Sequence, residues 1–340
     1  MKKKEIAVVT GGAGFIGSHM VDLLLSKNFK VKVIDNLSGG DKKNIQKHYK
    51  NKNFVFKKKN ICDLKKNDPI FKSCKYIFHF AGVGDIIPSI EKPIFYMNNN
   101  IKGTAKILEA ARNAKVKKLV YAASSSCYGL AKTPTKETNP INPLYPYALS
   151  KYLGEKLCLH WNKLYKLPVN SIRIFNAYGP RVKTTGAYGA AFGVFLKQKL
   201  EDKPFTIVGD GNQKRDFVYV TDVADAFLKA AKTKITGEIF NVGSDKPQTI
   251  NNLIRILGGK KVFLPTRPGE PRITYANINK IKRLLKWKPK VDFLDGVKNM
   301  LLDIHRWKNA PLWNKSKIKK ATKTWFNYMS KYKTYEKKYS

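Results

Sequence analysis

The chain has 340 residues, 43% of them hydrophobic, and its 66 Lys and Arg against 24 Asp and Glu give a formal net charge of +42. That size suits a globular protein with room for two lobes, and no apolar run approaches the roughly 20 residues of a membrane span, because Lys, Asn or Asp interrupts each one. The four cysteines, Cys62, Cys74, Cys127 and Cys158, follow neither a disulfide-like nor a metal-like spacing, so a cytoplasmic protein with no metal site is expected.

The charge invites a nucleic-acid reading. Lysines, however, far outnumber arginines, are strewn along the whole chain and accompany no nucleic-acid-reading motif, so no specific nucleic acid is expected. Met1 to Lys4 ahead of Ile6 to Val9 has the outline of a secretory signal, but the apolar run is too short for one and leads straight into glycines.

Short apolar runs alternate with helical patterns from the start: Ile6 to Val9, a helix over Phe15 to Ser26, Val31 to Ile34, Tyr76 to Phe78 and Lys118 to Tyr121. This rhythm predicts βαβ units, hence an α/β fold with a doubly wound parallel sheet of the Rossmann kind. A helix after Asn100, another carrying Tyr147 to Leu159 and a strand over Asn170 to Phe175 continue it. Beyond Gly179 the order loosens into loops, a helix around Phe192 to Leu200 and a short segment at Pro204 to Val208; Phe217 to Lys232 and Glu238 to Val242 read as regular again. The expected organisation is a dinucleotide-binding domain over 1–178 with later contributions from about 217–247, a smaller interleaved substrate lobe over 179–312, and a lysine-rich C-terminal helix over 313–340, docked through Ile318, Ala321, Trp325, Phe326 and Met329.

Between the first strand and helix lie Gly11, Gly14, Phe15, Ile16 and Gly17. Glycines at these spacings turn the chain sharply, let backbone approach a pyrophosphate and let helix pack on strand, while the helix N-terminus attracts the phosphates. Asp35, about 20 residues on at the end of the next strand, can accept from a ribose 2′-hydroxyl and would repel a 2′-phosphate, which favours NAD over NADP, although Lys42 and Lys43 follow closely. Asn36 beside it, Asn60 and Ile61 after the third strand, and Phe80, Ala81 and Gly82 after the fourth are the further cofactor candidates.

Tyr147 and Lys151 are four residues apart and share one helix face. A neighbouring ammonium and an oxidised nicotinamide would stabilise the phenolate and make Tyr147 a usable general base. Such a pair is common by chance; Ser124, after the strand ending near Tyr121, adds a third group at the same sheet edge, although a run of serines there also fits a polar turn.

With these residues in place the chain resembles the extended short-chain dehydrogenase/reductases, and among them the UDP-hexose 4-epimerases. The likeness runs from Gly11 to Gly17 through His79 to Gly82, Asn99 to Thr104 and Tyr147 to Lys151 to Arg267 to Glu270. It implies that Ser124 hydrogen-bonds the sugar 4-hydroxyl, Tyr147 exchanges its proton and Lys151 holds the nicotinamide ribose, with Asn99 joining the cofactor set and Ser126 the substrate set. It further implies that Asn176 meets the nucleotide-sugar diphosphate, that Arg215 and Arg267 bind phosphate, and that Glu270 holds the nucleotide ribose. Asn60 stands where relatives often carry an adenine-binding Asp, and Gly84 where some epimerases carry a lysine.

Sister enzymes that eliminate water carry an Asp-Glu pair directly after the catalytic Ser/Thr, and decarboxylating ones a Glu; here Ser125 and Ser126 follow, which disfavours both. The expected activity is redox-neutral epimerisation of a UDP-hexose at C4 through a 4-keto sugar, with NAD as cofactor; a 4-keto reductase remains open, as do a nucleic-acid-binding or an NAD-sensing scaffold. Thr274, at a position where a bulky Tyr restricts some epimerases, leaves room for a 2-acetamido group. A homodimer formed by the helices after Asn100 and around Tyr147 is expected as well.

Overall fold

The structure, a computed structural model, describes residues 4–184 and 191–330. Seven strands form one all-parallel sheet: β1 (Ile6–Thr10), β2 (Lys30–Asp35), β3 (Phe54–Lys58), β4 (Cys74–His79), β5 (Lys118–Ser124), β6 (Val169–Ile174) and β7 (Glu238–Val242), in the spatial order β7-β6-β5-β4-β1-β2-β3. Every residue of β5 is buried, as expected of a central strand covered on both faces. Alternate residues feed two apolar layers: Val9, Val33, Phe78 and Val120 face one, Val8, Ile34, Ile77 and Leu119 the other.

Helix α1 (Phe15–Ser26) follows β1 directly. Three more elements shape the site: α2 (Ile86–Glu91), α3 (Gly103–Asn113) and α4 (Pro146–Tyr165). Pro146 starts α4 at its first position, where a missing N–H costs nothing, and Lys166 ends it in the left-handed conformation. Its buried stripe is small, including Ala148, Ser150 and Gly154, because a Cβ on Gly154 would lie 2.3 Å from the Tyr121 hydroxyl oxygen. Helix α5 (Val220–Lys232) buries Val223, Ala224 and Phe227 in the same apolar layer as Val9 and Val120.

The sheet order reverses between β1 and β4, since the chain runs outward through β2 and β3 and returns beside β1. Ligands of open parallel sheets bind in the crevice beyond the strand ends at such a reversal. A second, aromatic-rich core contains Tyr178, Phe192, Phe205, Phe217, Trp307 and Trp325. The strand pair Phe205–Val208 with Lys261–Leu264 belongs to this part of the chain. Helix α6 (Lys315–Met329) closes the described chain; the expected helical residues 331–340 lie outside the described residues.

Candidate active site

At the cofactor edge, room is denied to side chains. Gly11 has φ +68°, and a Cβ there would lie 2.7 Å from the Ala81 backbone nitrogen; a Cβ on Gly17 would lie 2.1 Å from the Gly11 carbonyl oxygen. The loops after β1 and β4 therefore meet backbone to backbone. The first turn of α1 has no side-chain cap and no acidic residue, so its N–H groups remain for an anion, a fit to a pyrophosphate. Asp35 accepts from the backbone N–H of Ala13 at 3.0 Å and of Leu37 at 2.8 Å, which aims its carboxylate at the glycine loop. Burial pushes that carboxyl up and the two N–H donors pull it back. An ionised carboxylate offers about four acceptor positions, so ribose hydroxyls can share it.

The other cofactor candidates divide. Asn36 Oδ1 is taken by the backbone N–H and hydroxyl of Ser38, at 3.0 and 2.8 Å. The acceptor sought in Asn60 is committed to capping the short turn Ile61–Asp63, its Oδ1 accepting from Cys62 N at 3.0 Å, because an Asn before such a turn satisfies an orphan donor. The Ile61 side chain is core, pressed against Gly103. The Phe80 ring lies 4.5 Å from that of Phe227, so Phe80, Ala81 and Gly82 present mainly backbone. Asn99 donates to Phe95 O at 2.8 Å, within a π-helical segment, Asn98–Lys102, that leads into α3. Such widened turns recur at functional sites.

The neighbour, Asn100, is the residue sequence reasoning missed. It is buried, its Oδ1 accepts from Val83 N at 2.8 Å, and its Nδ2 donates to Val83 O and to Ser150 Oγ. It thus pins the loop after Gly82 to the helical turn that carries Lys151. The signal was present, as three consecutive asparagines opening a helical pattern.

Ser124 ends β5, and α4 brings Tyr147 to it, with Lys151 one turn further along the helix. Ser124 Oγ donates to Ser126 Oγ at 3.0 Å and is hydrogen-bonded to the Tyr147 phenol. Burial pushes that phenol above its ordinary value, with the Ser124 bond opposing. Burial also brings the Lys151 ammonium down to about 8, and its Nζ lies 4.5 Å from the Tyr121 ring centroid. Behind the site Arg173 and Glu155, both buried, pair at 2.6 Å, and Arg173 stacks over the Tyr128 ring.

A cleft of ≈ 600 Å³ runs from Phe15 and Ile16 past Ser124 and Tyr147 to Arg267 and Glu270, a volume within the usual range of small-molecule sites. On its far wall Glu270 Oε1 lies 2.7 Å from Arg215 Nη2, and Glu270 Oε2 lies 3.0 Å from Arg267 Nε. Burial pushes the Glu270 carboxyl up, but the two guanidinium groups outweigh it and hold it below its ordinary value. The three residues expected as separate contacts are one clamp, because two arginines facing one cleft need a carboxylate between them. Thr274 Oγ1 donates to Asn176 Oδ1 at 2.7 Å and accepts from Asp216 N at 3.2 Å, so both line the cleft as a bonded pair. A Cβ on Gly84 would meet nothing within 4 Å, which leaves open space where a lysine was expected in relatives. Among the described residues no cluster of metal-ligating side chains occurs, and no helix is long and apolar enough to cross a membrane.

Residues 7–243 match the family described as NAD dependent epimerase/dehydratase. The chain is 35% identical over 300 residues to a UDP-glucose 4-epimerase of Mycolicibacterium smegmatis, covering 85% of this chain and 95% of that protein. Among solved structures it is similar to a UDP-N-acetylglucosamine 4-epimerase from Methanobrevibacter ruminantium in complex with UDP-N-acetylmuramic acid, with TM-score 0.83, 33% identity and coverage of 91% of this chain and 99% of that one. It is equally similar to a UDP-glucuronic acid 4-epimerase from Bacillus cereus in complex with UDP-glucuronic acid and NAD, at TM-score 0.83, 34% identity, 88% of this chain and 99% of that one.

Proposed function

Since the chain belongs to the NAD-dependent epimerase/dehydratase family, with NAD as its cofactor, we propose that it inverts C4 of a UDP-hexose, accepting UDP-glucose and UDP-galactose and also the N-acetylhexosamine pair. The observation that carries this reading is the meeting of Ser124 and Tyr147 at one end of the cleft, with Lys151 one turn further along the same helix, and the Arg215–Glu270–Arg267 clamp at the other end. One end suits proton exchange at a sugar hydroxyl. The other suits a diphosphate.

The glycine loop, the N-terminus of α1 and the Asp35 carboxylate would hold the pyrophosphate and adenosine ribose of NAD, and the lowered Lys151 ammonium its nicotinamide ribose. Bound there, NAD supplies the reversible redox step at C4. Ser124 Oγ orients the 4-hydroxyl, and Tyr147 Oη takes its proton and returns it. The raised phenol is a poor base by itself, so the charge of bound oxidised nicotinamide, with the Lys151 ammonium, would have to offset burial before it could act. Arg215 and Arg267 anchor the diphosphate and so keep the 4-keto sugar from leaving while it turns. Ser125 and Ser126 supply no extra acid or base, which argues against elimination and decarboxylation. The small Thr274 and the open space at Gly84 support acceptance of the 2-acetamido sugars.

A second copy of the chain is the proposed partner. Ile94, Phe95, Leu149 and Leu164 are exposed, and Ile101, Leu153 and Leu157 line an apolar groove between the segment leading into α3 and α4. Shielding them suits an isologous dimer.

The function is tested by incubating the protein with UDP-glucose, and separately UDP-N-acetylglucosamine, without added reductant and following the sugars by NMR. The 4-epimer of each is expected. Conversion only of a 4-keto sugar supplied with NADH would make the enzyme a reductase and overturn the reading.

A further inference from the structure

Helix α6 has a role that its lysine-rich sequence conceals. Its buried residues, Ile318, Thr322, Trp325 and Met329, fall on one face, and Asn314 caps it by accepting from Lys317 N at 2.9 Å. Three of them belong to the aromatic-rich core, so the helix is docked along its length. Trp325, 5% exposed, goes further and lines the cleft itself.

Its contacts reach both ends of the proposed chemistry. The indole Nε1 donates to Pro268 O at 2.8 Å, one residue from Arg267 and two from Glu270. On its other side the ring lies 5.8 Å from that of Tyr145, which is stacked at 8° and 6.4 Å against Tyr147. Tyr145 also bonds Ser126. The preceding residue, Thr324, shares a 3.0 Å hydrogen bond with Glu91 at the end of α2, whose Ile86 and Ile87 line the cleft opposite.

We infer that Trp325 is a positioning residue for the nucleotide-sugar site: its N–H fixes the 267–270 segment and hence the arginine clamp, and its ring backs the Tyr145 that supports Tyr147. The inference deepens the function proposed above and rests on reading the cleft as a UDP-hexose site. Helix α6 is thereby a wall of that site as well as a lid on the second core.

Trp325→Phe keeps an aromatic ring beside Tyr145 while removing the N–H to Pro268 and trimming the fused ring of the indole. Loss of that one bond is expected to raise the calorimetric Kd for UDP and the KM for the UDP-sugar roughly fivefold to tenfold, with kcat within about twofold and NAD affinity unchanged. Trp325→Leu removes the ring as well; kcat then falls too, and the ascending limb of its pH profile moves, because Tyr147 loses its backing. A folded Trp325→Phe variant with UDP affinity and KM equal to those of the unmodified chain overturns the inference. So does a parallel loss of NAD affinity, which would mark general loosening. UDP binding is read without turnover, which separates the two readings. If the unmodified chain binds UDP but epimerises no UDP-hexose, the function fails while weaker UDP binding by Trp325→Phe sustains the positioning role. If the unmodified chain is an active epimerase and Trp325→Phe binds UDP normally, the positioning role fails alone.

Discussion

At the cofactor edge the decisive atoms are backbone: Gly11 against Ala81, Gly17 against the Gly11 carbonyl, and the uncapped first turn of α1. Across the same cleft they are side chains, with Glu270 reaching Arg215 from 55 residues away and Thr274 reaching Asn176 from 98. A ligand half read by backbone leaves few substitutions open, since a Cβ collides at once. A half read by side chains on distant segments can change one residue at a time. The relatives that share this fold and bear names for glucose, N-acetylglucosamine and glucuronate substrates fit that division.

The comparison breaks most completely where the two halves meet. Tyr147→Phe keeps the ring stacked on Tyr145 but removes the proton carrier, so kcat is expected to fall about 10³-fold while NAD and UDP still bind in calorimetry. A variant retaining a tenth of the activity would move the proton transfer to another group. Gly17→Ala attacks the backbone half alone. Its Cβ has no flexible neighbour to displace, so a stability loss of about 1–3 kcal/mol and loss of NAD binding are expected in denaturant titration and calorimetry. Normal NAD affinity in that variant would show that the loop yields, contrary to the geometry.

The same division explains what the sequence could reveal. Gly11 to Gly17 and the Tyr147–Lys151 pair are local in sequence, where spacing fixes who faces whom, while βαβ rhythm carried the sheet and with it Asp35 at the next strand end. The role of Asn60 was obscured because a local cap competes for its oxygen. The joining of Arg215, Arg267 and Glu270 depends on the meeting of two strand-and-loop segments, and the reach of Trp325 into the cleft on a helix docked from the far end of the chain. The helical spacing of Ile318, Trp325 and Met329 marks a docked helix, but it carries no trace of either long-range meeting.

A sharper probe of the side-chain half is Thr274→Tyr. The phenol ring would fill the space beside Asn176 and lose the 2.7 Å bond to its Oδ1. Competition between UDP-N-acetylglucosamine and UDP-glucose is expected to shift about tenfold toward the unsubstituted sugar, the scale on which pocket contacts discriminate. An unchanged ratio would place the acetamido group elsewhere in the cleft.

The smallest expected effect sharpens the backbone half, because it concerns Lys151, the proposed contact to the nicotinamide ribose, whose charge is lost within an accessible pH range. Burial has lowered Lys151 to about 8. Below that pH its ammonium is present to donate to the nicotinamide ribose; as pH rises through it the proton is lost and so is the charge. NAD affinity should therefore be level near pH 6–7 and weaken severalfold by about pH 9.5, whereas the glycine-loop contacts, being backbone, do not titrate. Lys151→Met should bind NAD weakly and without this slope, since nothing remains at the site to lose a proton in that range. An equal slope in the Met variant would assign the pH dependence to a different titrating group and remove the Lys151 ammonium as its source.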